Sequence, residues 1–298
     1  MKERDVRRNL ILAALAAAVV TAPALARYAP ATQVAPVPRE IAYGADPLQR
    51  LDLYPARGAA GPAPLIVFVH GGGWRQGDKR NATGGGMAPH FTGRGLAFAS
   101  VNYRLVPDAT VEDQAQDVAD AIGYLFRHAR ALGIDASRIV LAGHSAGAHL
   151  SALVATDPRY LKRAGLGLDQ LDGVVLLDGA AYDVPAQRQD GPRIMQRIYA
   201  QAFGDDPVRQ RALSPTLQAA APNAPAFLIL HVDRDDGKRQ SDALGAALTR
   251  AGASVSVEAL AGKGLRGHMA INRSLGDADY PGTAIVDAWI DRTLGVRR

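Results

Sequence analysis

The segment Gly143-His144-Ser145-Ala146-Gly147 sets one serine between two glycines, directly after an apolar run and directly before a helix-like pattern. A serine hydroxyl attacks a carbonyl only when a base removes its proton, and that base works best when an acid orients it. The spacing G-x-S-x-G between a strand and a helix marks a tight turn that lifts the hydroxyl above a sheet. Small residues on either side relieve clashes with neighbouring backbone. Ser145 is therefore the candidate nucleophile, and the chemistry it points to is acyl transfer.

The base must be a histidine further along the chain, with the acid between the two. Of seven histidines, only His231 and His268 lie well downstream of Ser145. His231 ends a strand and has no suitable acid ahead of it. His268, in Gly262-Lys-Gly-Leu-Arg-Gly-His268, is expected in a glycine-rich loop after the last strand, which makes it the candidate base. His149 reads as a buried helix residue under the turn. The acid is expected after the Ala226–Leu230 strand, where His231-Val-Asp233-Arg-Asp235-Asp236 gathers three carboxylates at a strand's C-terminal end. Asp235 is the expected acid, with Asp236 and Asp233 as alternatives.

The negative charge that develops on a carbonyl under attack needs hydrogen-bond donors. His70-Gly71-Gly72-Gly73-Trp74 follows the apolar run Pro64–Val69 and leaves backbone N–H groups bare. The expected donors are the N–H groups of Gly72, Gly73 and Ala146. A phosphate-binding loop is the competing reading, but no G-K-[ST] follows the glycines. Trp74 either walls a substrate pocket or simply packs.

These residues need a scaffold. Residues 39–43 and 49–54 alternate like a hairpin. Continuous apolar runs follow at residues 64–69, 96–101, 138–142, 173–177, 226–230 and 254–257. Such runs fit strands buried on both faces. Helical rhythm fills residues 111–132, 146–155, 240–251 and 283–294. The alternation predicts an α/β fold: a mostly parallel central sheet with helices on both faces. Residues 182–222 are longer than a plain crossover needs and are expected to form a small lid, or else a surface excursion.

The 298 residues suit one domain, assigned here to residues 39–298. There is no cysteine, which excludes disulfides, cysteine-ligated metals and a thiol nucleophile. Lys2, Arg4, Arg7 and Arg8 precede an apolar run from Leu10 to Val20 and then Ala24-Leu25-Ala26. That order is the pattern of a bacterial signal peptide over residues 1–26, so a periplasmic or secreted protein is expected, with no membrane anchor after cleavage. Residues 27–38 are expected to be an extended leader. Residues 1–26 hold four basic and two acidic residues, so the chain without them carries +3 against +5. Without basic runs interleaved with aromatics, nucleic-acid binding has no support.

His70–Trp74, Val101-Asn-Tyr103-Arg104-Leu105, Gly143–Leu150, Asp235 and His268 together resemble the α/β-hydrolase superfamily, in its HGGGW-type esterase branch. That branch includes carboxylesterases related to hormone-sensitive lipase, feruloyl-esterase-like proteins and kynurenine-formamidase-like proteins. The resemblance implies an acid four residues after His231, which is Asp235, although Val232 stands where glycine is usual. It also implies structural roles for Tyr103 and Arg104, a Ser-His-Asp acyl-enzyme mechanism, and no metal or organic cofactor. The expected substrate is a small-molecule ester with a short-chain or aromatic acyl group. An arylformamidase-like amide hydrolase is the alternative, and a non-catalytic binding protein on the same fold is the alternative of another class.

Overall fold

The computed structural model describes residues 37–296. The proposed signal sequence and nearly all of the expected leader lie outside the described residues. Eight strands run in chain order: β1 (Arg39–Ala42), β2 (Arg50–Tyr54), β3 (Ala63–Val69), β4 (Ala97–Val101), β5 (Ile134–His144), β6 (Gly173–Leu177), β7 (Ala226–Asp233) and β8 (Ser254–Lys263). Among the described residues, twelve α-helices are interspersed. The first five are α1 (Met87–Gly93), α2 (Val111–Arg127), α3 (Ala129–Leu132), α4 (Ala146–Thr156) and α5 (Pro158–Arg163). Between β6 and β7 lie α6 (Val184–Asp190), α7 (Gln196–Phe203), α8 (Pro207–Ala212) and α9 (Pro215–Gln218). The last three are α10 (Asp235–Arg250), α11 (Gly264–Ser274) and α12 (Pro281–Leu294).

The strands form one sheet in the order β1-β2-β4-β3-β5-β6-β7-β8. The β1–β2 and β2–β4 pairs are antiparallel, and all pairs from β4 to β8 are parallel. Side chains alternate across a strand, and that alternation splits each apolar run between two cores. Leu65, Val67 and Val69 of β3 join the core beneath α2, α4 and α10, while Ile66 and Phe68 join the core beneath α1, α11 and α12. β5 divides in the same way, Ile139 and Leu141 against Val140 and Ala142. A sheet covered on both faces has no polar side to show, which is why its strands read as unbroken apolar runs. The expected α/β architecture is the one observed.

Two boundaries differ from expectation in ways that bear on chemistry. Helix α10 starts at Asp235, earlier than the rhythm from Gln240 suggested, so Asp235 and Asp236 occupy a helix's first turn. His268 lies within α11 and is not in a loop. Gly262 and Gly267 pack against one another, so that a Cβ on Gly267 would stand 3.0 Å from the Cα of Gly262. These glycines let the end of β8 and the start of α11 approach closely.

Residues 182–222 form a set of short helices. Arg209 of α8 makes a two-pronged ion pair with Glu112 of α2, at 2.7 Å for each contact. Val184 N–H donates to the Ser214 hydroxyl at 2.9 Å. Among the described residues, no helix is long and apolar enough to cross a membrane.

Candidate active site

Ser145 sits at the turn from β5 into α4 with φ 56° and ψ −119°. A non-glycine residue at positive φ carries strain of roughly 1–3 kcal/mol, and such strain persists only where the surroundings fix it. Here they do. Ser145 N–H donates to the Leu177 carbonyl at 3.0 Å, and the Ser145 carbonyl accepts from His149 N–H at 3.1 Å. A Cβ on Gly147 would collide with the carbonyl oxygens of Val69 and His70, and one on Gly143 with the Gly147 carbonyl. The two motif glycines are therefore required by close backbone approach. Around this turn only Ser145 is partly exposed.

The expected base meets the expected nucleophile. His268 Nε2 lies 3.0 Å from Ser145 Oγ. Its other nitrogen, Nδ1, lies 2.6 Å from Oδ2 of Asp178. A carboxylate only accepts, so Nδ1 carries the proton and Nε2 offers a lone pair to the serine hydroxyl. The α11 backbone is held as well, because His144 Nε2–H donates to the His268 carbonyl at 2.9 Å.

The carboxylate that meets the imidazole is Asp178, and the expected contact from Asp235 is not made. Asp235 is exposed on the first turn of α10, where a carboxylate suits the helix dipole but does not reach the imidazole. Asp233 is exposed and pairs with Lys263 at 3.5 Å. Asp236 accepts from Gln187 at 3.0 Å and from Arg234 at 3.3 Å. Asp178 instead follows β6 directly, fully buried, with φ 44°. Its Oδ1 accepts from Val232 N–H at 3.2 Å, and its Oδ2 also accepts from Arg234 Nε at 2.9 Å. Burial alone raises the Asp178 carboxyl, but the His268 hydrogen bond and the Arg234 charge outweigh it and hold the group below the usual carboxylate range.

The glycine loop lies against this series. A Cβ on Gly71 would stand 3.0 Å from the Cβ of Ser145. Among the described residues, the N–H groups of Gly72 and Gly73 make no hydrogen bond. That of Ala146, at the first position of α4, has no partner within its own helix. The loop is fixed from beneath. Tyr103 donates to the His70 carbonyl at 2.9 Å, and its ring stacks on His70 with centroids 4.5 Å apart. Arg104 grips Asp117, with Nη2 at 2.7 Å from Oδ1. Both are structural, in keeping with the resemblance.

Trp74 packs and is not among the residues that line the cleft beside Ser145, so its reading as a substrate-binding residue is corrected. It is 1% exposed and lies edge-on to His149, Tyr199 and Phe203. Its indole N–H donates to His149 Nδ1 at 3.2 Å, and His149 Nε2–H in turn donates to the Leu213 carbonyl at 2.8 Å. Trp74→Ala is accordingly expected to cost about 3–5 kcal/mol of stability in denaturant unfolding. A variant of unchanged stability with altered acyl preference would restore the pocket-wall reading.

Three buried histidines frame the site. Burial pushes His70 and His149 down to about 4, and His144, which also faces His268, down to about 3. In the unfolded chain an imidazole titrates near 6.5. Between those values the unfolded state binds more protons than the folded one, so stability is full above about pH 6.5 and falls as pH drops. We expect the melting temperature to decline from pH 7 towards pH 4.5, with a loss approaching about 1.4 kcal/mol per pH unit for each histidine. A melting temperature that is level across that range would contradict the neutral, buried assignment.

Ser145 and His268 open onto a cleft of about 1180 Å³. Met195 and Ile198, from the 182–222 segment, form part of its wall. Among the described residues, no group of three or more histidine or acidic side chains is placed to hold a metal.

Residues 51–248 match the BD-FAE family model. The chain belongs to the BD-FAE family. It is similar to a probable isoprenylcysteine alpha-carbonyl methylesterase, ICMEL1, of Arabidopsis thaliana, 30% identical over 243 residues, or 76% of this chain and 50% of the relative. It is 34% identical over 207 residues to esterase LipC of Mycobacterium tuberculosis, covering 66% of this chain and 51% of the relative. This BD-FAE chain thus spans about half the length of the curated relatives it matches. Among solved structures, a truncated carbohydrate esterase from gut microbiota matches with TM-score 0.73 at 22% identity, over 88% of this chain and 98% of the other. Thermogutta terrifontis esterase 2 phosphonylated by sarin matches with TM-score 0.72 at 23% identity, over 91% and 100%. These likenesses establish the α/β-hydrolase fold.

Proposed function

We propose that this BD-FAE chain is a serine carboxylesterase whose working series is Ser145, His268 and Asp178. The observation that carries the reading is the unbroken run of hydrogen bonds from hydroxyl to imidazole to buried carboxylate. Ser145 Oγ adds to the ester carbonyl as His268 Nε2 takes its proton. The oxyanion draws on the bare N–H groups of Gly72, Gly73 and Ala146. His268 then passes the proton to the departing alcohol, and the same steps run with water release the acid. Asp178 holds the imidazole in the required tautomer and steadies its positive form. The esterase relatives support this reading over a non-catalytic binding protein.

The open cleft and its partly apolar wall favour short-chain or aromatic acyl esters. The N-terminal pattern of basic residues, apolar run and Ala24-Leu25-Ala26 supports export from a bacterial cell. The test is hydrolysis of 4-nitrophenyl acetate and butyrate together with inactivation by an alkyl fluorophosphonate. We expect turnover of both esters, and one phosphonyl group per chain on the peptide that holds Ser145. Stoichiometric labelling elsewhere, or no turnover of any ester, would overturn the proposal.

A further inference from the structure

The cleft carries a charge pattern that ester hydrolysis itself does not use. Arg75, Arg80 and Arg273 line it, and among the described residues no carboxylate does. The same cleft has an apolar part made by Ile198, Leu265 and Met269. Both parts are built into the catalytic frame. Arg75 follows the glycine loop by two residues, and its N–H returns to the Gly72 carbonyl at 3.4 Å. Positions 265, 268, 269, 272 and 273 fall on one face of α11 by helical spacing, so the helix that holds the base also brings Arg273 to the cleft.

The three arginines are not equivalent. Arg80 is engaged, with Nη2 at 2.8 Å from Glu40 and Nε at 3.3 Å from Asp52. Arg75 and Arg273 form no ion pair among the described residues, whereas Arg80 forms two. Asp78, three residues after Arg75, accepts from Asn102 at 2.8 Å, and the buried Asp178 serves His268 and Arg234. A cleft lined by one sign of charge beside an apolar wall concentrates the field and draws in ligands of opposite sign.

We propose that the preferred ester carries an anionic group, a carboxylate in the simplest case, which Arg75 and Arg273 hold while the apolar part of the substrate lies against Ile198, Leu265 and Met269. The inference rests on the esterase reading and names its substrate class. Both arginines are exposed, so the interaction is screened by water and salt. The effect should be moderate and sensitive to salt.

The experiment compares matched esters. 4-Nitrophenyl hydrogen succinate against 4-nitrophenyl butyrate places the carboxylate on the acyl part at equal chain length. 3-Acetoxybenzoate against phenyl acetate places it on the alcohol part. The readout is the ratio of kcat/KM, anionic over neutral, within each pair, so a general loss of activity cancels. In at least one pair the ratio should be about tenfold at low salt and fall towards one at about 0.5 M salt. The Arg75→Gln/Arg273→Gln double variant should lose most of that preference, while Arg273→Lys should keep more of it than Arg273→Gln does. Ratios at or below one for both pairs in the wild type, or a ratio untouched by the double variant, overturn the inference and leave the esterase intact. Failure to turn over any of the four esters instead strikes the esterase reading itself.

Discussion

Asp178→Asn is expected to lower kcat by about 10⁴-fold, while Asp235→Asn changes it by less than about twofold. The asymmetry follows from what each carboxylate touches. Asp178 is fully buried and receives the His268 Nδ1 proton at 2.6 Å. An asparagine there would turn an N–H towards the ring or lose the bond, and Nε2 would no longer be the free acceptor the serine needs. The variant would also remove the charge that Arg234 meets at 2.9 Å, leaving it Asp236 at 3.3 Å. Some stability should therefore be lost as well, and folding must be checked by circular dichroism before rates are compared. Asp235 is exposed at the start of α10 and its removal costs at most a fraction of a kcal/mol from the helix dipole. The reverse result, a large loss at 235 and none at 178, would return the acid to the end of β7.

That contrast also shows what was legible in the sequence. Ser145 was readable because its motif, preceding strand and following helix all agree, and each has a local physical reason. His268 was readable from chain order. The acid was not, because chain order admits any aspartate between 145 and 268, and the cluster at 233–236 is conspicuous in a way that a single Asp178 after Gly173–Leu177 is not. The deciding information is spatial: β6 is hydrogen-bonded between β5 and β7. Asp178 therefore emerges beside the serine turn, where its N–H donates to Leu230 of β7 at 2.7 Å. Strand order cannot be read from apolar runs. A carboxylate as the first residue beyond a fully apolar strand was the one available signal, since such a position is costly to bury without a partner. Trp74 illustrates the same limit. Its indole meets Tyr199 and Phe203 from the distant 182–222 segment, and no local pattern around residue 74 announces that contact.

Ser145→Ala should be the most severe change of all, a loss of about 10⁵–10⁶-fold in kcat. Alanine keeps the Cβ and so keeps the backbone strain at φ 56°. The folded chain should then melt within a few degrees of the wild type, and the loss can be assigned to chemistry. The stronger claim is that the three groups act as one device. If His268 matters only because it relays the serine proton, and Asp178 only because it holds His268, then adding Asp178→Asn to Ser145→Ala should remove little further activity. The two single losses, multiplied, would predict a rate about 10⁴-fold below that of Ser145→Ala alone. A double variant found at that lower level would mean that Asp178 acts on the reaction by a route independent of the serine. A double variant close to the single one ties the carboxylate after β6 to the hydroxyl after β5 through the one imidazole that touches both.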